Sequence, residues 1–185
     1  MAIPEAHRFL QATRPDALTL GLRRQLTDCW MAVANTGGAV FESDLPMPPV
    51  SAREVAPVAD RLIAGLEPER SRILIAMYGD TLAGWLVLRR DPHPLIAHVG
   101  VVNHVQTHPG FRGRGIGAAL MERVRVIARE EMGLERPQLS ARAGLGLEEF
   151  YGGSGGGRWA GGRVRCALRV APGADRDDIL MSISL

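Results

Sequence analysis

The residues best suited to chemistry lie in one glycine-rich segment, 105–117, with the sequence VQTHPGFRGRGIG. A strand-like run ends at Thr107, the chain turns at Pro109-Gly110, and a long amphipathic pattern with helical spacing follows. Helix N-termini leave amide N–H groups unpaired and carry partial positive charge, and glycines let several amides converge on one anion. Arg112 and Arg114 add fixed positive charge on both sides of the turn. The segment therefore predicts a phosphate or pyrophosphate site.

The basic residues narrow the kind of phosphate site. All 22 of them are arginines, because the chain contains no lysine. A Walker phosphate loop needs its Gly-Lys-[Ser/Thr], and a Schiff-base mechanism needs a lysine amine, so both are excluded. An anion must be held by arginines, by backbone amides, or by both.

A dinucleotide site is an alternative interpretation of the same glycines. Gly113, Gly115 and Ala118 fit the pattern Gly-x-Gly-x-x-[Gly/Ala], and Arg142 follows the next predicted strand, where it could contact a 2′-phosphate. The chain beyond that strand is short, glycine-rich and rich in strand patterns. A doubly wound nucleotide fold cannot be completed there, so this interpretation is disfavoured.

The elements that must position the segment are both helices and strands. In the first half the sequence predicts a helix at 15–34, a proline-rich loop at 41–50, a helix at 51–65, a hairpin at 73–88 that turns at 79–80, and a strand at 93–107 with a bulge near Gly100. The helix at 51–65 has Ser51 as its N-cap, with Glu54 completing a capping box. The second half predicts a helix at 114–132, a strand at 138–141, a helix at 145–151, a flexible loop at 152–157, and strands at 164–170 and 179–185.

Size and charge favour a single domain over residues 1–185. The chain has 185 residues, of which 46% are hydrophobic and 23% charged, enough to form one core. A net charge of +2 offers no polybasic field for nucleic acid or membrane. Residues 1–13 lack a signal-peptide pattern, so we expect a cytoplasmic protein. We also expect a monomer or homodimer. Cys29 and Cys166 are far apart in the sequence, and we expect both to be buried free thiols.

The pattern Arg112-x-x-Gly115-x-Gly117, between a strand and a long amphipathic helix, resembles the acyl-CoA signature [Gln/Arg]-x-x-Gly-x-[Gly/Ala] of the GNAT superfamily of N-acyltransferases. Phe150-Tyr151 falls where the family's Phe-Tyr dipeptide begins its second motif, and the element order is also that of the family. The spacing of 98–109, together with Leu26-Thr27-Asp28, is similar to that of tabtoxin-resistance-type acetyltransferases. The resemblance implies an α/β (α+β) fold with a mixed, mostly antiparallel central sheet flanked by helices.

The resemblance also implies a reaction: transfer of an acetyl group from acetyl-CoA, without a metal, to a small-molecule primary amine by direct attack. It assigns the CoA pyrophosphate to the backbone amides of Arg112, Gly113, Arg114, Gly115, Ile116 and Gly117, and the pantetheine arm to the backbone of Val105, Gln106 and Thr107. One of the latter amides would polarise the thioester carbonyl. Tyr151 would protonate the departing thiolate, the alternative being an aromatic residue that only packs on the core.

Two departures from the family pattern affect the expected chemistry. Many relatives carry a glutamate base eleven residues before the motif's first Arg or Gln; here that position is Val101. On an ideal strand Asn103 shares the face of Val101 with Val105 and Thr107, and a water held by Asn103 could accept the proton, as could Glu42, Asp44 or bulk solvent.

The histidines at 98, 104 and 108 would project to the other face, too far apart for a shared metal and better explained as core or surface residues. The second departure follows Tyr151, where the usual Leu-Gly-[Phe/Trp] anchor is replaced by glycines and a mobile loop at 152–157 is expected. A non-catalytic acyl-CoA-binding module remains the alternative function. We expect Glu42, Asp44, Asn103 and Trp85 to border the acceptor cleft.

Overall fold

The computed structural model describes residues 8–38, 45–153 and 160–185. Seven strands lie in the described ranges: β1 (Arg8–Ala12), β2 (Ser71–Tyr78), β3 (Thr81–Arg90), β4 (Val99–Thr107), β5 (Arg136–Arg142), β6 (Ala160–Ala171) and β7 (Ala174–Ser182). The α-helices there are α1 (Leu20–Asn35), α2 (Ala52–Ala64), α3 (Ile116–Val126) and α4 (Leu147–Gly153). Helix α3 continues as a π-helical turn over Ile127–Glu131.

The strands form one sheet in the order β1-β2-β3-β4-β5-β7-β6. Neighbouring strands are antiparallel except β4 and β5, which are parallel. The predicted fold class, a mostly antiparallel sheet flanked by helices, is therefore confirmed.

The sheet divides the buried side chains into two clusters. On one side, here called the α1/α2 face, residues of α1 and α2 pack on Ile73, Ile75, Trp85 and Val87. On the opposite α3/α4 face, residues of α3 and α4 pack on a second set of strand residues, which includes Leu74, Leu86, Leu88 and Val102. Strands β2 and β3 thus contribute alternate side chains to the two clusters, as the period of two requires.

Strands β4 and β5 separate along their length, which is the feature that matters most for the site. Their register pairs Val99 with Arg136, Gly100 with Pro137 and Val101 with Gln138, and the pairing ends there. The rest of β4 stays paired with β3 through Gly84, which lies opposite Thr107. Beyond Val101, one edge of β4 therefore faces a wedge-shaped gap between two parallel strands.

A bulge in β4 interrupts its alternation within this wedge. Trp85 pairs with Gln106 and Val87 with Asn103, so two steps along β3 correspond to three steps along β4. His104 sits in the bulge with a left-handed backbone (φ +53°). The sequence predicts this bulge near Gly100, but the structure places it four residues later.

Several predicted boundaries were wrong. Residues 15–17 form a 3₁₀ turn, and α1 starts after Thr19, whose hydroxyl accepts a hydrogen bond from the Leu22 amide. The strand expected from 93 begins at Val99, because Pro94–Ile96 form another 3₁₀ turn. Helix α4 continues through Gly152 and Gly153, which were expected in a loop, and 154–157 of that loop lie outside the described residues. Strand β1 was not anticipated.

Candidate active site

The turn before α3 leaves its backbone open to an anion. Gly113 and Gly115 have φ values of +75° and +78°, and Gly115 is the N-cap of α3, so no side chain caps the helix. The first hydrogen bond inside the helix runs from the Ala119 N–H to the Gly115 carbonyl, at 3.0 Å. A Cβ at either glycine would meet nothing within 4 Å. The amides of the first turn therefore precede the helical hydrogen bonds and face open space.

The two arginines of the turn point to opposite sides. Arg112 donates from Nη2 to Thr36 Oγ1 at the end of α1, at 3.1 Å. Arg114 lies over the rings of Tyr78 and Phe111, with its guanidinium carbon 5.2 and 5.5 Å from their centroids. One positive charge is thus held toward each face of the sheet.

The start of α3 is packed closely against α4. A Cβ at Gly117 would come within 3.0 Å of the Phe150 ring and 3.6 Å of Thr107 Oγ1. The side chain of Ile116 is buried in the core, so only its backbone can face a ligand. The glycine at 117 allows Phe150 of α4 to pack against the turn before α3.

The three residues expected along the pantetheine arm lie on the open edge of the wedge, at 105–107. Gln106 is buried and its Oε1 accepts a hydrogen bond from Trp85 Nε1 at 3.1 Å, which fixes it on the α1/α2 face. Val105 packs with the cluster on the α3/α4 face. Their side chains are engaged above and below the sheet, so the open edge presents backbone groups alone.

Tyr151 is buried on the α3/α4 face near the end of α4, with its ring 4.9 Å from that of Phe150. Burial raises the pKa of the Tyr151 phenol well above its usual value. The phenol therefore keeps its proton at neutral pH. It can serve as a hydrogen-bond donor, and it also contributes to the core.

Two polar residues of β4, Asn103 and His104, lie on the α1/α2 face of the wedge. Asn103 lies opposite Val87 and so faces α1 and α2, as Val101 does opposite Arg89. The His104 ring lies on the same face, 4.6 Å from the Trp30 ring and stacked on Trp85 at 5.2 Å. The prediction that His104 faces away from Asn103 was wrong because the bulge reverses the alternation.

The bulge also moves two other residues. Val105 and Thr107 were expected to share the face of Val101, but both lie toward α3 and α4. His98 precedes β4, and His108 Nδ1 accepts a hydrogen bond from the Gly110 amide at 3.1 Å. A bulge is fixed by pairing with β3, so no signal in the sequence alone would have located it.

Burial distinguishes the other sequence candidates that the structure describes. Trp85, expected near the acceptor, is fully buried in the core. Cys29 is buried, and desolvation raises the pKa of its thiol to about 12, whereas Cys166 is exposed on β6, contrary to expectation. Glu42 and Asp44 lie outside the described residues. Within the described ranges, no helix is long and apolar enough to cross a membrane.

The fold and the glycine turn together define an acetyltransferase of the GNAT type. The sequence profile of the acetyltransferase (GNAT) family matches residues 39–151, more than half of the chain. The protein belongs to that family.

Solved structures extend the likeness over nearly the full length. The chain superposes on yncA of Salmonella typhimurium, solved with its cofactor acetyl-CoA, with a TM-score of 0.68 and 14% identity, covering 96% of this chain and 94% of the other. The ribosomal-protein-alanine N-acetyltransferase of Brucella melitensis superposes with a TM-score of 0.68 and 17% identity, covering 95% of this chain and 99% of the other. A spermidine N-acetyltransferase chimera from Vibrio cholerae and hSSAT superposes with a TM-score of 0.64 and 16% identity, covering 95% of each chain.

These proteins share a fold but are named for different acceptors, a ribosomal-protein alanine in one case and spermidine in another. No curated protein sequence matches the chain significantly. The acceptor must therefore be inferred from the residues of this chain.

Proposed function

We propose that this protein transfers an acetyl group from acetyl-CoA to the primary amine of a small molecule by direct attack. The observation that carries the proposal is the wedge between β4 and β5, which leads to the uncapped turn before α3. An extended arm can add to the open edge of β4 as a strand does, and an anion can bind at the helix start. The two sites are contiguous along 105–117, as a pantetheine arm joined to a pyrophosphate requires.

Different groups of the chain would bind the pyrophosphate and the pantetheine arm. The amides from Arg112 to Gly117 would hold the pyrophosphate, with the Arg112 and Arg114 guanidiniums adding charge on either side. The backbone of Val105–Thr107 would pair with the arm, and one of its N–H groups would donate to the thioester oxygen. That donor stabilises the negative charge that develops on the oxygen during attack.

The reaction forms a bond between the amine nitrogen and the carbonyl carbon and breaks the bond from that carbon to sulfur. The departing sulfur gains electron density, and Tyr151 would donate a hydrogen bond or proton to it. The nitrogen must lose a proton on the other side of the wedge. Asn103 would hold a water there, and the neighbouring His104 imidazole supplies a second group able to accept that proton.

The test of function is release of the CoA thiol from acetyl-CoA over a panel of primary amines, with CoA binding measured separately by calorimetry. We expect amine-dependent release and saturable CoA binding. Binding without release on any amine would favour a non-catalytic acyl-CoA-binding module, for which the valine at 101 in place of the family's glutamate is the supporting observation. Absence of CoA binding would contradict both.

A glycine substitution tests the phosphate site. Gly115→Glu places a carboxylate against the pyrophosphate, and we expect CoA affinity to fall at least 100-fold. Gly133→Glu is the matched control, since Gly133 also has a positive φ (+59°) with nothing within 4 Å of its Cβ position, and it lies past the far end of the same helix. Equal CoA affinity in the two variants would refute the assignment.

A further inference from the structure

Two arginines meet on the α1/α2 face, at the end of the wedge. Arg142 is the last residue of β5, and its Nη2 donates to the Gly37 carbonyl after α1, at 2.7 Å. Arg176 on β7 lies two residues from Asp178, the pairing partner of Arg142, and its Nε lies 3.7 Å from the Cβ position of Gly144. The two guanidiniums therefore lie on one face of neighbouring strands.

Their charges are not neutralised within the part of the chain that the structure describes. Neither forms an ion pair with a carboxylate there, and the contact of Arg176 is with the Asp175 carbonyl at 3.4 Å. Arg163, on the same sheet, shows the contrast, since it contacts Asp177 at 2.9 Å and also Glu148. Asp178, the cross-strand partner of Arg142, accepts a hydrogen bond from the Ser140 hydroxyl.

The electrostatics agree with this arrangement. Partial burial, together with the positive charge of Arg176, lowers the pKa of the Arg142 guanidinium. Arg142 is partly buried and Arg176 is exposed, and the repulsion between their like charges costs free energy in the unliganded protein. Such a cost is typical of a binding site, where an anion relieves it.

The position of the pair relates it to the reacting centre. Gln138 is opposite Val101, so Arg142, four residues later on the parallel strand, lies across the wedge from the segment just beyond the bulge. Its side chain is on the α1/α2 face, which is also the face of Asn103 and His104. The pair belongs to β5 and β7 and not to the glycine turn, although Arg142 and the turn's Arg112 contact neighbouring residues, Gly37 and Thr36, at the end of α1. The KM for acetyl-CoA therefore tests which of the two ligands the pair binds.

We propose that Arg142 and Arg176 bind a carboxylate of the acceptor, so that the acceptor is an amino-acid-like molecule carrying a primary amine and a carboxylate. The inference rests on the proposed acetyl transfer and specifies its substrate class. Guanidiniums match carboxylates in geometry and can bind them through two parallel hydrogen bonds. The same pair repels polyamines.

The first experiment compares L-amino acids with their carboxamides as acceptors in the thiol-release assay. We expect kcat/KM for the best acid to exceed that for its amide at least 10-fold. Arg142→Gln and Arg176→Gln should each lower kcat/KM for the acid at least 10-fold, leave the amide unchanged and leave KM for acetyl-CoA within twofold. Preference for amides or spermidine, or a raised KM for acetyl-CoA in the variants, would overturn the proposal.

Two controls separate anion binding from a structural role. Arg142 also anchors the end of α1, but Arg176 makes no such bond among the described residues, so loss of the acid preference in both variants indicates anion binding. Arg169→Gln removes an arginine that is exposed on the same sheet and paired with Asp175 at 2.7 Å. That variant should retain wild-type kinetics.

A direct binding experiment tests the carboxylate site independently of acetyl transfer. If no amine is acetylated, N-acetyl-L-amino acids and their carboxamides are titrated into the CoA-saturated protein by calorimetry. Selective binding of an acid, lost in Arg142→Gln and Arg176→Gln, would support the carboxylate site although acetyl transfer had failed. Failure of every acid to bind more tightly than its amide would overturn the site itself.

Discussion

At the scale of single residues, burial limits the chemistry that we propose for Tyr151. A free phenol has a pKa of about 10 and a thiol about 8.5, so complete proton transfer from tyrosine to a thiolate is uphill by about 2 kcal/mol even before burial. Burial raises the Tyr151 pKa further. Its contribution is therefore expected to be a hydrogen bond that strengthens as charge develops on sulfur.

Tyr151→Phe should lower kcat about 100-fold and change the dissociation constant of CoA by less than twofold, because the ring remains in the core while the donor is lost. The raised pKa fixes the sign of the pH dependence. The phenol is protonated below its pKa, so wild-type activity should show no alkaline loss due to Tyr151 up to about pH 10. Steady-state rates and calorimetry check both parts; equal rates would remove Tyr151 from the mechanism.

The two cysteines should differ sharply in reactivity. Desolvation raises the pKa of Cys29 to about 12, despite the nearby charge of Arg112, whereas Cys166 is exposed. The thiolate is the reactive form. An aromatic disulfide reagent at pH 8 should modify one thiol per native chain within minutes and two after unfolding, and Cys166→Ser should abolish the native reaction. Two fast equivalents in the native protein would contradict the burial of Cys29.

At the scale of elements, Asn35 connects the end of α1 to the residue before the N-cap of α2. Its Nδ2 donates to the Val50 carbonyl at 2.8 Å, and its Oδ1 accepts from the Val50 amide at 2.7 Å. Val50 is buried, at 4% exposure, so its backbone groups have little access to water. One side chain thus holds together the two ends of the connection between α1 and α2.

Asn35→Ala should lower the free energy of unfolding by about 2 kcal/mol, since it removes two hydrogen bonds worth about 1 kcal/mol each and leaves a buried amide and carbonyl unsatisfied. Urea unfolding measures the change. Gln11→Ala is the control, because its side chain makes an exposed hydrogen bond to Glu131 and should cost less than 0.5 kcal/mol. Similar losses in the two variants would show that the Asn35 contacts are not stabilising.

The elements also show which features a single sequence can predict. The capping box at α2 is local, and the Ser51 amide does donate to Glu54 Oε2 at 2.8 Å; the hairpin turn at Gly79-Asp80 is local as well. The bulge at His104 depends on pairing with β3, so the sequence could not place it. Arg142 and Arg176 are 34 positions apart in the sequence, and only the paired strands bring them to one face. Whether their charges are neutralised depends on which carboxylates lie nearby in the fold.

At the scale of the whole molecule, the sheet consists of two blocks that meet at the wedge. Strands β2 to β4 are covered by helices on both faces, whereas Leu180 of β7 and Val164 of β6 are exposed on the α1/α2 face. The blocks are joined by three residue pairs between β4 and β5. A ligand that pairs with the open edge of β4 would complete the sheet where the protein leaves it incomplete.

Hydrogen exchange tests this completion. Amides of 102–107 that face the wedge should exchange readily in the free protein and be slowed at least 10-fold by saturating CoA, because an added strand accepts hydrogen bonds from them. Amides of Ile73–Ala76 in β2, far from the wedge, serve as the internal reference and should change little. In Gly115→Glu, the same CoA concentration should give no protection. Uniform slowing across the sheet would indicate global stabilisation, and unchanged exchange at 102–107 would contradict strand-like binding. The location of the protected amides therefore decides whether the wedge is the cofactor groove.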